Sequence, residues 1–284
     1  MTEETALAVS GALESLLVAN NHRGMQDVQS TLTPGYLLRA AHLIRRCTGR
    51  VYILTGFPVA GTFETDGPAG AMALYQLLEQ RGAQPAILSD ESITDVLSSN
   101  FRCVSLARGT SSEISSAASS LYQRAAPDLV ISIERPGTAA DGQCYNMAGD
   151  NISAACSATE AYLELATCPT IAIGDGGNEL GMGNAQTALA ALNIKPAISF
   201  CDELIVADVS NWAAYALHAF IQWLENAPSY LTVDIHQLLA HLVALGAVDG
   251  VSGLPTPTED GFPANAGPHF LEQANTILTR AVAA

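Results

Sequence analysis

The chain has 284 residues, 49% hydrophobic and only 14% charged, which is the profile of a folded protein with a sizeable core rather than a disordered one. Its formal net charge is −16 and Lys195 is its one lysine, a balance that disfavours nucleic acid and anionic membranes as partners. No apolar run reaches the length of a membrane span and the acidic opening MTEETALAVSG lacks a basic leader, so a cytoplasmic location is expected.

Taken in chain order, Leu7, Leu13, Leu16, Leu17 and Val18 recur at helical spacing over residues 2–21, and Asn20-Asn21 ends the pattern. A polar stretch leads to Thr33-Pro34, read as the cap and first turn of a helix through LLRAAHLIRRC that Gly49 terminates. Six short runs follow: VYILTGF (51–57), AILSD (86–90), CVSLA (103–107), LVISIE (129–134), TIAIGD (170–175) and ELIVAD (203–208). They are aliphatic on both faces instead of alternating, as strands covered by helices on both sides must be. Helical stretches separate them: GAMALYQLLEQRG, SSEISSAASSLYQRA, NISAACSATEAYLELA and NAQTALAALN. Alternating strands and helices imply an α/β fold with a three-layer, doubly wound, mostly parallel sheet of Rossmann-like type. The expected organisation is a single α/β domain over 1–284, with a helical lead at 1–48, a sheet core at 49–210 and a helical cover at 211–284.

In that cover, Trp212, Tyr215, Phe220 and Trp223 share one helix and read as core, although the same helix offers a surface for homo-oligomer packing. VDIHQLLAHLVALG is a second helix ended by Gly246, and a last helix starts near His269. Between them, the proline- and glycine-rich residues 250–268 read as cover or as a mobile lid.

The six cysteines form no CxxC pair and no zinc-spaced cluster, so they read as small core residues of a reducing compartment; Cys144, in a polar loop, fits that reading least well. There is no P-loop lysine, no GxGxxG, no HExxH and no GxSxG, and no nucleotide or redox cofactor is expected. Carboxylate chemistry remains, and in open α/β sheets it belongs after the strand ends.

Three segments concentrate it. TGFPVAGTFETDGPAGAMALY (55–75) carries Glu64 and Asp66 among Gly56, Gly61, Gly67 and Gly70, and a helix start at Gly67–Ala71 offers N–H groups to an anion. SIERPGTAADGQCYNMAGDNIS (132–153) carries Glu134, Arg135, Asp141, Asn146 and Asp150, where Arg135 either clamps a substrate carboxylate or holds a structural ion pair. IGDGGNELGMGN (173–184) sets Asp175, Asn178 and Glu179 beside Gly176 and Gly177, and Asp175 and Glu179 are candidate ligands for a divalent cation such as Mg²⁺ or Mn²⁺.

On the stretches TGF…ETDGPAGAMAL, SIERPG…DG..YNMAG and IGDGGNELGMGN, over roughly residues 30–250, the sequence resembles the D-glutamate cyclase-like C-terminal domain family. The resemblance implies a lyase that dehydrates D-glutamate or a related amino acid to 5-oxo-D-proline. Carried onto matching positions, it implies Glu64, Asp66, Glu134 and Asp141 as catalytic groups. Arg135, Asn146, Gly56, Gly67, Gly176, Gly177 and Asn178 would bind a small amino-acid substrate. A metal-dependent hydrolase or phosphatase, or a non-catalytic metabolite-binding domain, would use the same acidic cleft.

Overall fold

The computed structural model describes residues 2–226 and 233–283. In chain order the elements are α1 (Glu3–Leu17), α2 (Met25–Gln29), α3 (Tyr36–Arg46), β1 (Arg50–Thr55), a small hairpin of β2 (Pro58–Val59) and β3 (Thr62–Phe63), and α4 (Pro68–Gln80). Next come β4 (Gln84–Ser89), α5 (Glu91–Leu97), β5 (Cys103–Ser105), α6 (Ser111–Arg124), β6 (Leu129–Ile133), α7 (Glu160–Glu164) and β7 (Thr170–Gly174). The chain closes with α8 (Gln186–Leu189), β8 (Glu203–Val206), α9 (Ser210–Leu224), α10 (Ile235–Ala244) and α11 (Ala266–Ala283).

The sheet order is β5-β4-β1-β6-β7-β8 with every neighbouring pair parallel. The pleat sends alternate residues to opposite faces. Val51, Ile53, Ile131 and Ile133 meet the large helical layer that includes α1, α3, α4, α9 and α11. Tyr52, Leu54 and Val130 meet a thinner one made by Ile114 and Ala118 of α6 with Tyr162 and Leu163 of α7. The expected three layers are thus present, with unequal thickness. The chain leaves β1 toward β4 and leaves β6 toward β7, so the strand order reverses between β1 and β6, and a crevice opens there at the strands' carboxyl ends.

Helix α9 is the centre of the thick layer. Trp212, Tyr215, Phe220 and Trp223 are all buried within this chain, so they are core and not a surface for a second subunit. α9 crosses α4 at Gly70, where an added Cβ would lie 2.8 Å from Ala214 Cβ and 3.0 Å from Asn211 Oδ1.

Several local expectations are corrected. The helix after Thr33 begins at Tyr36, with Gly35 at its cap in the left-handed region. Its free N–H groups are met by buried Glu14 of α1, which accepts from Gly35 N at 3.1 Å and Leu37 N at 3.0 Å. The stretch NISAACSATEAYLELA is helical only over α7, because its first half is committed elsewhere. Ile152 N donates to Cys144 O at 2.9 Å and Ser157 N to Asp90 Oδ1 at 3.0 Å. NAQTALAALN gives only a 3₁₀ turn at Met182–Ala185 followed by the short α8. α2, α5 and the β2–β3 hairpin are additional, and α11 starts at Ala266, three residues ahead of His269. Among the described residues no helix is long and apolar enough to cross a membrane.

Gly70→Ala is expected to destabilise the chain by about 1–3 kcal/mol through overpacking at the α4–α9 crossing. Urea unfolding checks this as a lower midpoint at an unchanged slope.

Candidate active site

The long β1–α4 connection uses the hairpin to turn back, and Glu64 then runs beside Val248, with Thr65 N donating to Val248 O at 2.9 Å. Asp66 is drawn to the N-terminus of α9, where its carboxylate accepts from Ser210 N at 3.0 Å and Asn211 N at 2.7 Å. Asn211 reciprocates: its Oδ1 accepts from Gly67 N at 2.9 Å and Gly70 N at 2.7 Å. The α4 N-terminus expected to receive an anion is therefore answered from within the chain. Gly67 has φ 88°, and a Cβ there would lie 2.7 Å from Glu134 Cβ. Only glycine lets the two connections approach this closely.

Glu134 directly follows β6 and has φ 44°, a costly left-handed conformation for a residue with a side chain. One of its oxygens accepts from Ser210 Oγ at 2.6 Å. After β7, Gly176 N and Gly177 N donate to the two oxygens of Glu179 at 2.8 and 2.7 Å, which fixes that carboxylate. Asn178 donates to Tyr145 O at 2.7 Å. Asp175 Oδ2 and Asn178 Oδ1 are buried and have no hydrogen-bond partner.

Three residues absent from the sequence reading complete the site. Arg23 enters from the α1–α2 connection and pairs with Asp175 at 2.6 Å and Asp260 at 2.9 Å. Buried Asp208, just past β8, places it by accepting from Asn20 N at 2.7 Å and Asn21 N at 2.9 Å. Asp260 and Glu259 come from the 250–268 segment. That segment is tied down: Glu259 accepts from Asn211, Trp212 and Tyr215, and Asp249 accepts from Ser252 N at 2.7 Å and Gly261 N at 2.9 Å. The acidic pair in TPTEDG was the available signal for these two, while nothing local marks Arg23.

Seven carboxyls, Glu64, Asp66, Glu134, Asp175, Glu179, Glu259 and Asp260, are buried together. Oxygens of Asp66, Asp175 and Asp260 lie within 4.8 Å of one another, as do those of Glu134, Asp175 and Glu179, so Asp175 belongs to both sets. Two carboxylates at that spacing repel by roughly 3–4 kcal/mol at an effective dielectric of about 20. Desolvation first, and the neighbouring carboxylates second, push Glu64, Asp66 and Glu134 well above the usual carboxylate range. Asp175 is also raised by burial, although Arg23 opposes the rise. Burial raises Glu179 against the pull of the Gly177 N–H, and Glu259 is lifted to about 7, mainly by burial. Burial works against the charge on Arg23, but Asp175 and Asp260 outweigh it and keep the guanidinium protonated.

Glu64, Glu134, Asp175, Asn178, Glu179, Asp260 and Arg23 line a cavity of about 860 Å³, with Asn146 and Arg108 on its wall. Asn146 is held there by Asp150, donating to its Oδ2 at 3.1 Å. The expectation of Arg135 as a substrate clamp is corrected, because its guanidinium is fully buried on the far side of Glu134. There it binds Asp90 Oδ2 at 2.5 Å, Ser157 O at 2.7 Å and Gly56 O at 3.2 Å. Burial alone would raise Asp90, but Arg135 more than offsets this and leaves it below its ordinary value. Asp141 is likewise corrected: it is exposed, accepts from Tyr145 Oη at 2.6 Å and does not reach the cavity.

An all-parallel, doubly wound α/β protein with an acidic cavity at its strand-order reversal is the class that these features define. Within it, the chain belongs to the D-glutamate cyclase-like, C-terminal family, whose model matches residues 13–275. It is 28% identical over 296 aligned residues to the human protein named "D-glutamate cyclase, mitochondrial", with 84% of this chain and 47% of that protein aligned. The chain thus spans about half the length of that curated relative. Among solved structures, an exopolyphosphatase-related protein from Bacteroides fragilis superimposes at a TM-score of 0.44 and 9% identity, covering 88% of this chain and 60% of its own.

Two outcomes follow from the electrostatics. The raised carboxyls bind protons more tightly folded than unfolded, so the folded chain is the more protonated form. Stability should fall as pH rises through the window set by Glu259, from its ordinary 4.5 to about 7, as thermal unfolding across that range would register. Arg135→Met leaves buried Asp90 with only the more distant Arg108, 3.8 Å away, as counter-charge, and is expected to cost about 3 kcal/mol in chemical denaturation.

Proposed function

We propose that the acidic cleft carries out D-glutamate cyclase chemistry, the loss of water from D-glutamate or a closely related amino acid to give 5-oxo-D-proline. The observation that carries this reading is the convergence of Glu64, Glu134, Asp175 and Glu179 on one cavity with their proton affinities raised. Family membership and the name of the human relative support the substrate class.

The reaction joins the α-nitrogen to the γ-carboxyl carbon and expels one carboxyl oxygen. Both protons that leave the ammonium group end on that oxygen as water. The site must therefore accept and return protons near neutrality, which ordinary carboxyls do poorly and desolvated ones do well. Glu134, steadied by Ser210 Oγ, is the base that takes the ammonium proton. Glu64 is the acid that protonates the departing oxygen. Arg108, 56% exposed at the side chain, is the guanidinium on the wall able to receive the α-carboxylate. Asp175, Glu179 and the amide oxygen of Asn178 would hold a divalent cation such as Mg²⁺ or Mn²⁺. The fit rests on the unpartnered buried oxygens of Asp175 and Asn178, hard donors suited to such an ion. Bound there, the ion would polarise the γ-carboxyl and offset its charge.

Incubation of the protein with D- or L-glutamate, with Mg²⁺, Mn²⁺ or a chelator, followed by chiral separation and mass spectrometry, tests the reading. Product is expected from the D-isomer alone and should be lost on chelation. Glu134→Gln should slow turnover by about 100-fold or more, and Asp175→Asn should slow it too. Undiminished turnover in both variants, or hydrolysis of a phosphoester without any 5-oxoproline, overturns it.

A further inference from the structure

All six cysteines are free thiols, and two of them lie together: Cys144 and Cys156 line the same small cavity, and both are tied to Ile152. Cys144 is the cysteine whose polar surroundings set it apart in the sequence. The backbone holds the pair in place. Cys144 N donates to Ser153 Oγ at 2.9 Å, Cys144 O accepts from Ile152 N at 2.9 Å, and Cys156 Sγ donates to Ile152 O at 3.6 Å. Both residues line a polar cavity of about 350 Å³, shared with Arg108, Thr138, Ser153 and Ser157. That space is ample for a molecule little larger than water, whose share of liquid volume is about 30 Å³. The segment between the two cysteines contributes Asn146, Met147, Ala148, Ile152 and Ala155 to the wall of the larger acidic cavity.

We propose that Cys144 and Cys156 are a dithiol–disulfide modification site, oxidised by a small peroxide entering the smaller cavity, and that the disulfide closes residues 145–155 into a covalent loop along the wall of the acidic cleft. Cys156 is the attacking sulfur. The neighbouring Cys144 thiol lowers its pKa, with Arg135 assisting and burial opposing, whereas the Cys156 thiol and burial push Cys144 up. Burial lifts Cys103 and Cys168 to about 11 and Cys201 to about 12, which leaves those thiols protonated and slow to react. In the first step the Cys156 thiolate attacks one peroxide oxygen and the O–O bond breaks. The leaving hydroxide takes up the proton that Cys156 released, giving water and a sulfenic acid on Cys156. The Cys144 sulfur then attacks the Cys156 sulfur, the S–O bond breaks, and the oxygen departs with its own proton and that of Cys144 as a second water. Two thiols and one peroxide become one disulfide and two waters.

Peptide mapping of the whole chain without reductant, after exposure to hydrogen peroxide, tests the proposal without reference to any substrate. A count of six free thiols is expected to fall by two, with a Cys144–Cys156 crosslinked peptide that dithiothreitol removes. In Cys144→Ser, dimedone should label Cys156, and in Cys156→Ser it should leave Cys144 unlabelled. The proposal is overturned if this pair stays reduced while another cysteine is oxidised, or stays reduced at peroxide levels that oxidise glutathione.

Discussion

The rest of the site depends on one electrostatic problem, the burial of several carboxyls around a single inner guanidinium. Arg23 is the one cation among the described residues that ion-pairs inside the cluster, and it meets Asp175 and Asp260 directly. Repulsion of a few kcal/mol per close pair exceeds what one arginine can offset, so protons must remain on several groups or a further cation must join them. The first solution leaves carboxyls that exchange protons near neutral pH, whereas a bound cation would hold its own ligands ionised. The same imbalance that weakens the fold is what suits the cleft to acid–base work.

The fold supports this burden by making the N-terminus of α9 a shared anchor. Asp66 accepts from the first N–H groups of that helix, Ser210 donates to Glu134, and Asn211 ties both Gly67 and Gly70. One turn of helix thereby fixes the connections after β1 and β6 relative to each other. Trp212 and Tyr215, a little further along, donate to Glu259 and draw in the 250–268 segment that carries Asp260. A stretch that reads as a possible lid is instead a built wall, because Asp249 accepts from its Ser252, Thr258 and Gly261 and Glu259 ties it to α9.

The sheet was legible because strands buried on both faces must be mostly aliphatic, as β1, β4, β6, β7 and β8 are, while β5 at the edge is only partly buried. Glu64, Asp66, Glu134, Asp175 and Glu179 were legible for a related reason: acids among glycines just past strand ends have few structural uses. Arg23 and Asp260 were not, since they reach the cavity through pairings remote in sequence and sit in stretches without periodicity. Arg135 misled because the backbone turns at Glu134, in the left-handed region just past β6, and of the two only Glu134 lines the cavity. Its neighbour Glu134 took the cavity side, leaving Arg135 to the interior with Asp90. The helix drawn through residues 151–166 failed where Asp90 and Cys144 claimed the backbone groups that a helix needs.

The latch at Asp208 bears on how the molecule is made. Asn20 and Asn21 grip a carboxylate 188 and 187 residues further along. During synthesis from the N-terminus, the segment that carries Arg23 leaves the ribosome long before its receptor exists. The carboxyls after β1, β6 and β7 emerge in the interval, before the carboxylate of Asp208 that places Arg23. Assembly of the charged cleft is therefore a late event in biogenesis, and a nascent chain halted before Asp208 holds only the acids after β1, β6 and β7, without the docking point that delivers their counter-charge and without Glu259 and Asp260.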